Sequence, residues 1–516
     1  MIRSKVQNLI PFFTSGVVPV RAENSDDALE IHAATQQVDS AYESFRNLLD
    51  PGDEDVLRRK AIARILNLRW GLSNDNEKFS LTLLKDLVRG HYIPVNTSRG
   101  SYVDKIAKTL EKYINFVEVN HGVFPKWLLP MAAAEIDRII YPREGDDALV
   151  YVFFEDMKER VVWKDENIEE GDKNTQLFLA CHRVLAKTDE AELFWHLFRT
   201  AEPAWENESS EEELVAIAAR FPQVQKDIED ALHSNIAVRV LRRLHAPSVP
   251  YRILRDIVRL PDAYSIIADE KLLGANVQDA LAKRIKRTEK QMLKRVWHAA
   301  AFLFLTKGVL AFFTEIPYEI YLGQIRYIPF AINMLFPPTL LFLMAGSVPR
   351  PGKENTERLI KAVQDVVDGN ISASDILINS VESKTFRSSV FAILYFLTAI
   401  ISFVVIVWVL NLANFSLLGG FYFIIFLGLV SFLGLRLRST MREYRIVAPK
   451  QKFGSSLLDF FTMPILDLGR EISLRASQIN IFLFLMDAII EAPFKLLLGL
   501  IEEWFSFLRE KKEKLY

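Results

Sequence analysis

Cysteine is almost absent: Cys181 stands alone in 516 residues. An intramolecular disulfide and a cysteine-cluster metal site are therefore excluded, and a soluble region kept in a reducing compartment is consistent with this usage. An excess of charge is lacking as well. With 63 basic and 65 acidic residues the net charge is −2, so nothing draws the whole chain to nucleic acid or another polyanion. Reaction motifs are also missing. "GSVPRPGK" at Gly346–Lys353 has five residues between its glycines instead of the four of a phosphate loop, and Glu354 follows where Ser or Thr is needed. "DPGDED" at Asp50–Asp55 lacks the alternation of a calcium loop. His182, beside Cys181, and His196 lack zinc-ligand spacing and read as packed within a helical core. No catalytic residue, metal or cofactor is expected.

What is present is unevenly spread apolar sequence. The apolar fraction is 50%, yet residues 1–295 read as a polar, soluble chain and long apolar runs crowd into 296–435. The N-terminus, "MIRSKVQNLIPFFTSGVVPV", offers basic residues before a mildly apolar stretch. Pro11, Thr14, Ser15 and Gly16 interrupt it and no small-x-small cleavage site follows, so residues 1–24 are expected to form a flexible or surface-lying segment rather than a signal peptide.

Four runs meet the requirement of about 20 mostly apolar residues for a spanning helix. Ser388–Leu410 and Leu417–Leu435 carry no charge. Trp297–Thr314 is interrupted by Lys307, and Ile328–Gly346 by Asn333 and the Pro337-Pro338 pair. A soluble core helix rarely stays apolar on every face for so long. Basic residues fix the orientation. Lys283, Arg284, Lys286, Arg287, Lys290, Lys294 and Arg295 precede the first run and suit anionic lipid headgroups better than nucleic acid. Six more lie in 347–387 and another six in 436–452, while the two remaining connections hold only Arg326. By the positive-inside rule both termini and the 347–387 loop are cytoplasmic.

Lys307 costs roughly 2.5–3.5 kcal/mol near the centre of an isolated span. It lies about 10 Å from the outer end of the first span, and Asn333 about 7–8 Å into the second from the same side. In an antiparallel hairpin the two depths agree within a turn, which predicts a Lys307–Asn333 contact through the Asn333 carbonyl oxygen. Glu315, about 12 Å further along the same helix, is out of direct reach. Glu315 and Glu319 are expected in the outer interface beside Tyr318 and Tyr321. Pro337 and Pro338 are expected to kink or break the second span. Gly420, Gly428 and Ser431 place small residues on one face of the fourth, suiting close packing.

Residues 25–275 read as an all-α cytoplasmic domain of short helices, with only "ALVYVFF" and "ERVVW" strand-like, each equally readable as a buried helix edge. "SLTLLKDLVRG" runs from Ser80 to a Gly90 stop. Residues 276–346 form a basic linker helix and the first hairpin (297–314, 328–346). The loop 347–387 contains the helix "NTERLIKAVQDVVDG", able to dock on the domain or lie under the membrane. Residues 388–435 form the second hairpin (388–410, 417–435). Residues 436–516 read as amphipathic helices lying in the cytoplasmic interface or packed against the bundle, because a fifth span at 479–501 would bury Asp487, Glu491 and Lys495 and place "REKKEKLY" outside.

The stretch "TEIPYEIYLGQIRYIPFAINMLFPP" at Thr314–Pro338, with "LLPMAAAEID" at Leu128–Asp137, resembles a group of integral membrane proteins of uncultured bacteria. The resemblance implies a bacterial inner-membrane location over most of the chain; no activity or functional residue comes with it. The residues themselves point to a non-enzymatic scaffold or assembly protein at the cytoplasmic membrane face. The bilayer, a protein bound through 25–275 and a second copy of the chain are the expected partners, and nucleic acid is not one. The alternative is a small oligomeric transporter or channel using Lys307 and the Pro337-Pro338 break.

Overall fold

The computed structural model describes residues 53–70, 75–164, 168–206, 210–323, 326–346, 351–370, 376–378, 386–442, 444, 446 and 462–472, with parts of 6–43 and isolated positions near the C-terminus. The described chain is mostly helical. The helix read into 25–49 lies largely outside the described residues, as does 479–501.

Three apolar cores organise the fold. The first gathers α1 (Glu54–Arg69), α2 (Asn76–Arg89), α3 (Val103–Val119), α4 (Leu128–Ile140), α7 (Glu190–Ala201) and α8 (Glu211–Leu232) around Leu66, Leu110, Phe116, Met131, Phe198 and Trp205. Local sequence sets the helix ends. Asp189 caps α7, Ser210 and Glu213 form a reciprocal capping box on α8, and Asp75 caps α2 through Lys78 N. Helix α2 therefore starts before Ser80, whose hydroxyl instead donates back to Asn76 O at 2.7 Å. Gly90 ends it, donating to Asp86 O.

The second core joins α5 (Glu144–Arg160), α6 (Glu170–Cys181), α9 (Asn235–Val258), α10 (Ala263–Ala268), the first third of α11 (Glu270–Leu310) and two later segments. The 347–387 loop is one of them: α14 (Lys353–Asp368) turns Leu359, Val363 and Val367 into this core, so it docks on the globular body. Strand β1 (Val161–Trp163) pairs in parallel with β2 (Ile376–Ile378), Val161 opposite Ile376. "ALVYVFF" is not a strand; it lies within α5. The N-terminal stretch read as flexible contributes too. Ile10–Thr14 is helical, and Val6, Leu9, Ile10 and Phe13 are buried in the second core because their apolar spacing matches a helix face laid on α5.

The third core is smaller. It packs the second half of α11 against α13 (Tyr327–Gly346) and α16 (Leu417–Arg442) through Met292, Val296, Leu303, Leu341, Phe426 and Val430. Among the described residues, helix α15 (Phe386–Leu412) completes the set of four helices long and apolar enough to cross a membrane. It meets few neighbours, and Phe396, Ile401, Val404 and Trp408 are exposed. Residues 462–472, read as lying in the interface or packed against the bundle, pack against α16. The Gly428 and Gly469 backbones approach so closely that a β-carbon at Gly428 would lie 3.1 Å from Ile465 O, and the Tyr395 hydroxyl donates to Asp467 from α15. Paired glycines permit that crossing, which an amphipathic pattern does not reveal.

Candidate functional site

One buried stripe on α11 runs Leu273, Val277, Leu281, Thr288, Met292, Val296, Ala300, Leu303 and Lys307. It connects the second core to the third without a break in the helix. Beyond Lys307 the spacing becomes strictly four, through Ala311, Glu315 and Glu319, all buried. Eight residues of α-helix would turn Glu315 about 80° away from Lys307. Ala311–Glu315 is a π-helical turn, and its wider winding returns Glu315 to the same face before α12 (Ile316–Tyr321) begins.

The Lys307 ammonium donates to Asn333 Oδ1 at 2.5 Å, and Asn333 Nδ2 donates to Glu315 Oε1 at 2.8 Å and to Gly419 O at 3.2 Å. Lys307 also lies over the Phe426 ring, 4.7 Å from its centre. Asn333 thus uses both ends of its amide to link cation and carboxylate across α11, α13 and α16. Glu315 is not a free acid of the outer turn: the π turn, invisible to a helical wheel, carries it inward. Glu319 accepts from Arg326 N at 2.8 Å at the start of α13, where a carboxylate suits the helix dipole. Pro337 and Pro338 lie inside α13, which stays helical from Tyr327 to Gly346. No break occurs, because packing on α11 and α16 holds the helix across the two missing donors.

The basic residues before the first candidate span separate by face. Lys283, Lys286, Arg287, Lys290, Lys294 and Arg295 are exposed. Arg284 turns inward: it forms a two-pronged pair with Asp256, donates to Arg252 O and lies near the Tyr444 ring. It therefore belongs to the globular body rather than to the exposed row.

A second polar centre lies between the first two cores and has no local sequence signature. Asp137, fully buried on α4, accepts from Arg58 (2.5 Å), Arg59 (3.1 Å) and Arg143 (2.7 Å). Glu192 on α7 receives Arg59, Arg138 and Arg143. Burial pushes the Glu192 carboxyl up, but Arg59, Arg143 and Arg138 outweigh it and hold the group below the usual range. Arg138 extends the network: it grips Asp147 with two bonds of 2.6 and 2.8 Å and places Nη2 3.0 Å from His196 Nε2. The His182 and His196 rings stand 4.6 Å apart, centre to centre. Burial lowers both histidines, His182 to about 4 and His196 well below its ordinary value. Both are therefore neutral at physiological pH and keep a lone pair. Cys181 is also buried, which pushes its thiol far up and disfavours the thiolate. Asp147, His182 and His196 sit on three elements, 35 and 14 residues apart in sequence, so spacing rules find none of them.

No family model matches the chain, and comparison with curated proteins and with solved structures finds no match.

Proposed function

We propose that this chain is a polytopic protein of the bacterial inner membrane whose globular helical body organises or assembles other components at the cytoplasmic face. Both termini and α14 lie on that side, and the exposed row from Lys283 to Arg295 meets anionic headgroups. The single observation that carries this reading is how Lys307 is used. Its side chain is almost wholly enclosed, bound to Asn333, and closed over by Phe426. A polar group held this way joins helices. The body is also tied to the candidate spans twice, by the unbroken α11 and by the returning α14 and β2. Such a double tether suits a platform of fixed geometry.

The second reading, an oligomeric transporter or channel, draws on the same residues. Ionisable groups within candidate spans and π-helical turns both concentrate at functional positions. Reconstitution separates the two. Purified protein in liposomes is expected to show no ion or proton flux above empty vesicles, and crosslinking in intact membranes is expected to capture a reproducible partner through residues 53–268. A flux abolished by Lys307→Met would overturn the scaffold reading.

A further inference from the structure

One ring nitrogen each of His182 and His196 and one Asp147 carboxylate oxygen all lie within 4.8 Å of one another. We propose that these three residues bind a first-row divalent transition metal, Zn²⁺ being the best fit to two imidazoles and one carboxylate.

Three elements converge to make the set. Asp147 is in the first turn of α5, His196 is midway along α7, and His182 opens the π-helical turn His182–Ala186 that ends α6. That turn is closed by Lys187 in the left-handed region, φ 56°, which brings Thr188 Oγ1 to 3.4 Å from His182 O and 3.5 Å from Nδ1. The backbone thus departs from ideal helix where one ligand is presented. Donor atoms around a tetrahedral dication with bonds of about 2.0–2.2 Å stand about 3.3–3.5 Å apart. The existing set, within 4.8 Å, has to contract to that spacing as an ion enters. His182 is buried and Asp147 about one-third exposed, so an ion reaches the site from the Asp147 side.

The bland alternative is that Arg138 alone completes this centre as an ion pair. Arg138 grips both Asp147 oxygens and contacts His196, so a dication must displace it. The guanidinium is not stranded by that exchange: its Nε already donates to Glu192 Oε1 at 2.9 Å, and its plane lies over Trp195. The charges around the two rings are mixed: Arg138, Arg143 and Arg199 act on His196, while Asp147 and Glu192 offset Arg138 at His182.

The test uses the full chain in detergent, stripped with a chelator and titrated with Co²⁺ alone, then with Zn²⁺ in competition. One Co²⁺ per chain with visible ligand-field bands is expected, displaced by Zn²⁺, and Zn²⁺ should raise the thermal midpoint. His182→Gln and His196→Gln are expected to abolish stoichiometric binding. Arg138→Met is expected to tighten it about tenfold, by removing a charge-assisted competitor. Should the histidine variants fail to fold, X-ray absorption of the Zn²⁺-loaded wild type decides, two imidazoles in the shell being the expected result. Absence of stoichiometric binding, retention in both folded histidine variants, or a shell without two imidazoles overturns the proposal and leaves Arg138 as the sole cation of the centre.

Discussion

A β-carbon at Gly419 would stand 2.8 Å from Glu315 Oε1 and 3.0 Å from Ser416 Oγ. The close approach of α16 to the Lys307–Asn333–Glu315 group therefore depends on glycine. Gly419→Ala is expected to push Glu315 away from Asn333 and to cost about 1–3 kcal/mol, the usual range for overpacking. The readout is the thermal midpoint in detergent, followed by circular dichroism. An unchanged midpoint would mean that the helices are not so closely apposed.

Lys307→Met and Asn333→Ala are expected to be non-additive. Each removes one end of the same 2.5 Å bond, so the double variant should lose less than the sum. Coupling of about 0.5–2 kcal/mol is the range for hydrogen bonds between helices in membranes. A double-mutant cycle on denaturing-detergent unfolding measures it, and zero coupling would show that the two side chains do not interact.

In the globular body, Asp137→Ala leaves Arg58, Arg59 and Arg143 facing an empty counter-ion position. The expected loss is about 3–5 kcal/mol, characteristic of a buried pair deprived of one partner. Asp53→Ala, whose longer contacts to Lys187 and Arg295 are exposed, should cost under about 1 kcal/mol. Equal effects from the two substitutions would contradict the buried network.

Acid should act on the same network. The carboxyls of Glu192 and Asp55 are raised by burial, but neighbouring arginines outweigh this and hold both below their ordinary values. Their contribution to stability is complete above the ordinary carboxylate pKa of about 4 and is lost as pH falls through the depressed folded values. The thermal midpoint should decline steeply below about pH 4, and less steeply in Glu192→Gln.

The proposed topology predicts an asymmetric labelling pattern. Cys181 is fully buried and should stay silent to maleimides in the folded protein. Tyr321→Cys, at a position 87% exposed, should react with a membrane-impermeant reagent added outside whole cells. Lys353→Cys should react only after permeabilisation. The reverse pattern would invert the orientation of the chain.

The legible parts of the fold were those written in composition. The runs around Val404 and Leu427 are long and apolar enough to cross a membrane, a pattern a soluble core helix rarely keeps. The pairing of Lys307 with Asn333 follows from two depths counted from one shared turn. The Glu315–Asn333 bond was not legible because α-helical counting assumes 3.6 residues per turn, and the π turn at Ala311–Glu315 breaks that count. Docking of α14 was left open since its apolar face suits a protein core and a membrane surface equally. Three-residue strands such as Ile376–Ile378 are too short to carry a period. Asp147, His182 and His196 meet only through tertiary packing, so nothing local announces them.

Helix α11 is 41 residues long, a rod of about 60 Å. Adding one alanine between Lys286 and Lys294 would swivel everything upstream by about 100° and raise it by about 1.5 Å relative to Lys307. The α14–β2 strap, seated in the second core, would resist that rotation. Phase along α11 is thus a built-in setting of the molecule: whatever the body holds is presented at one azimuth.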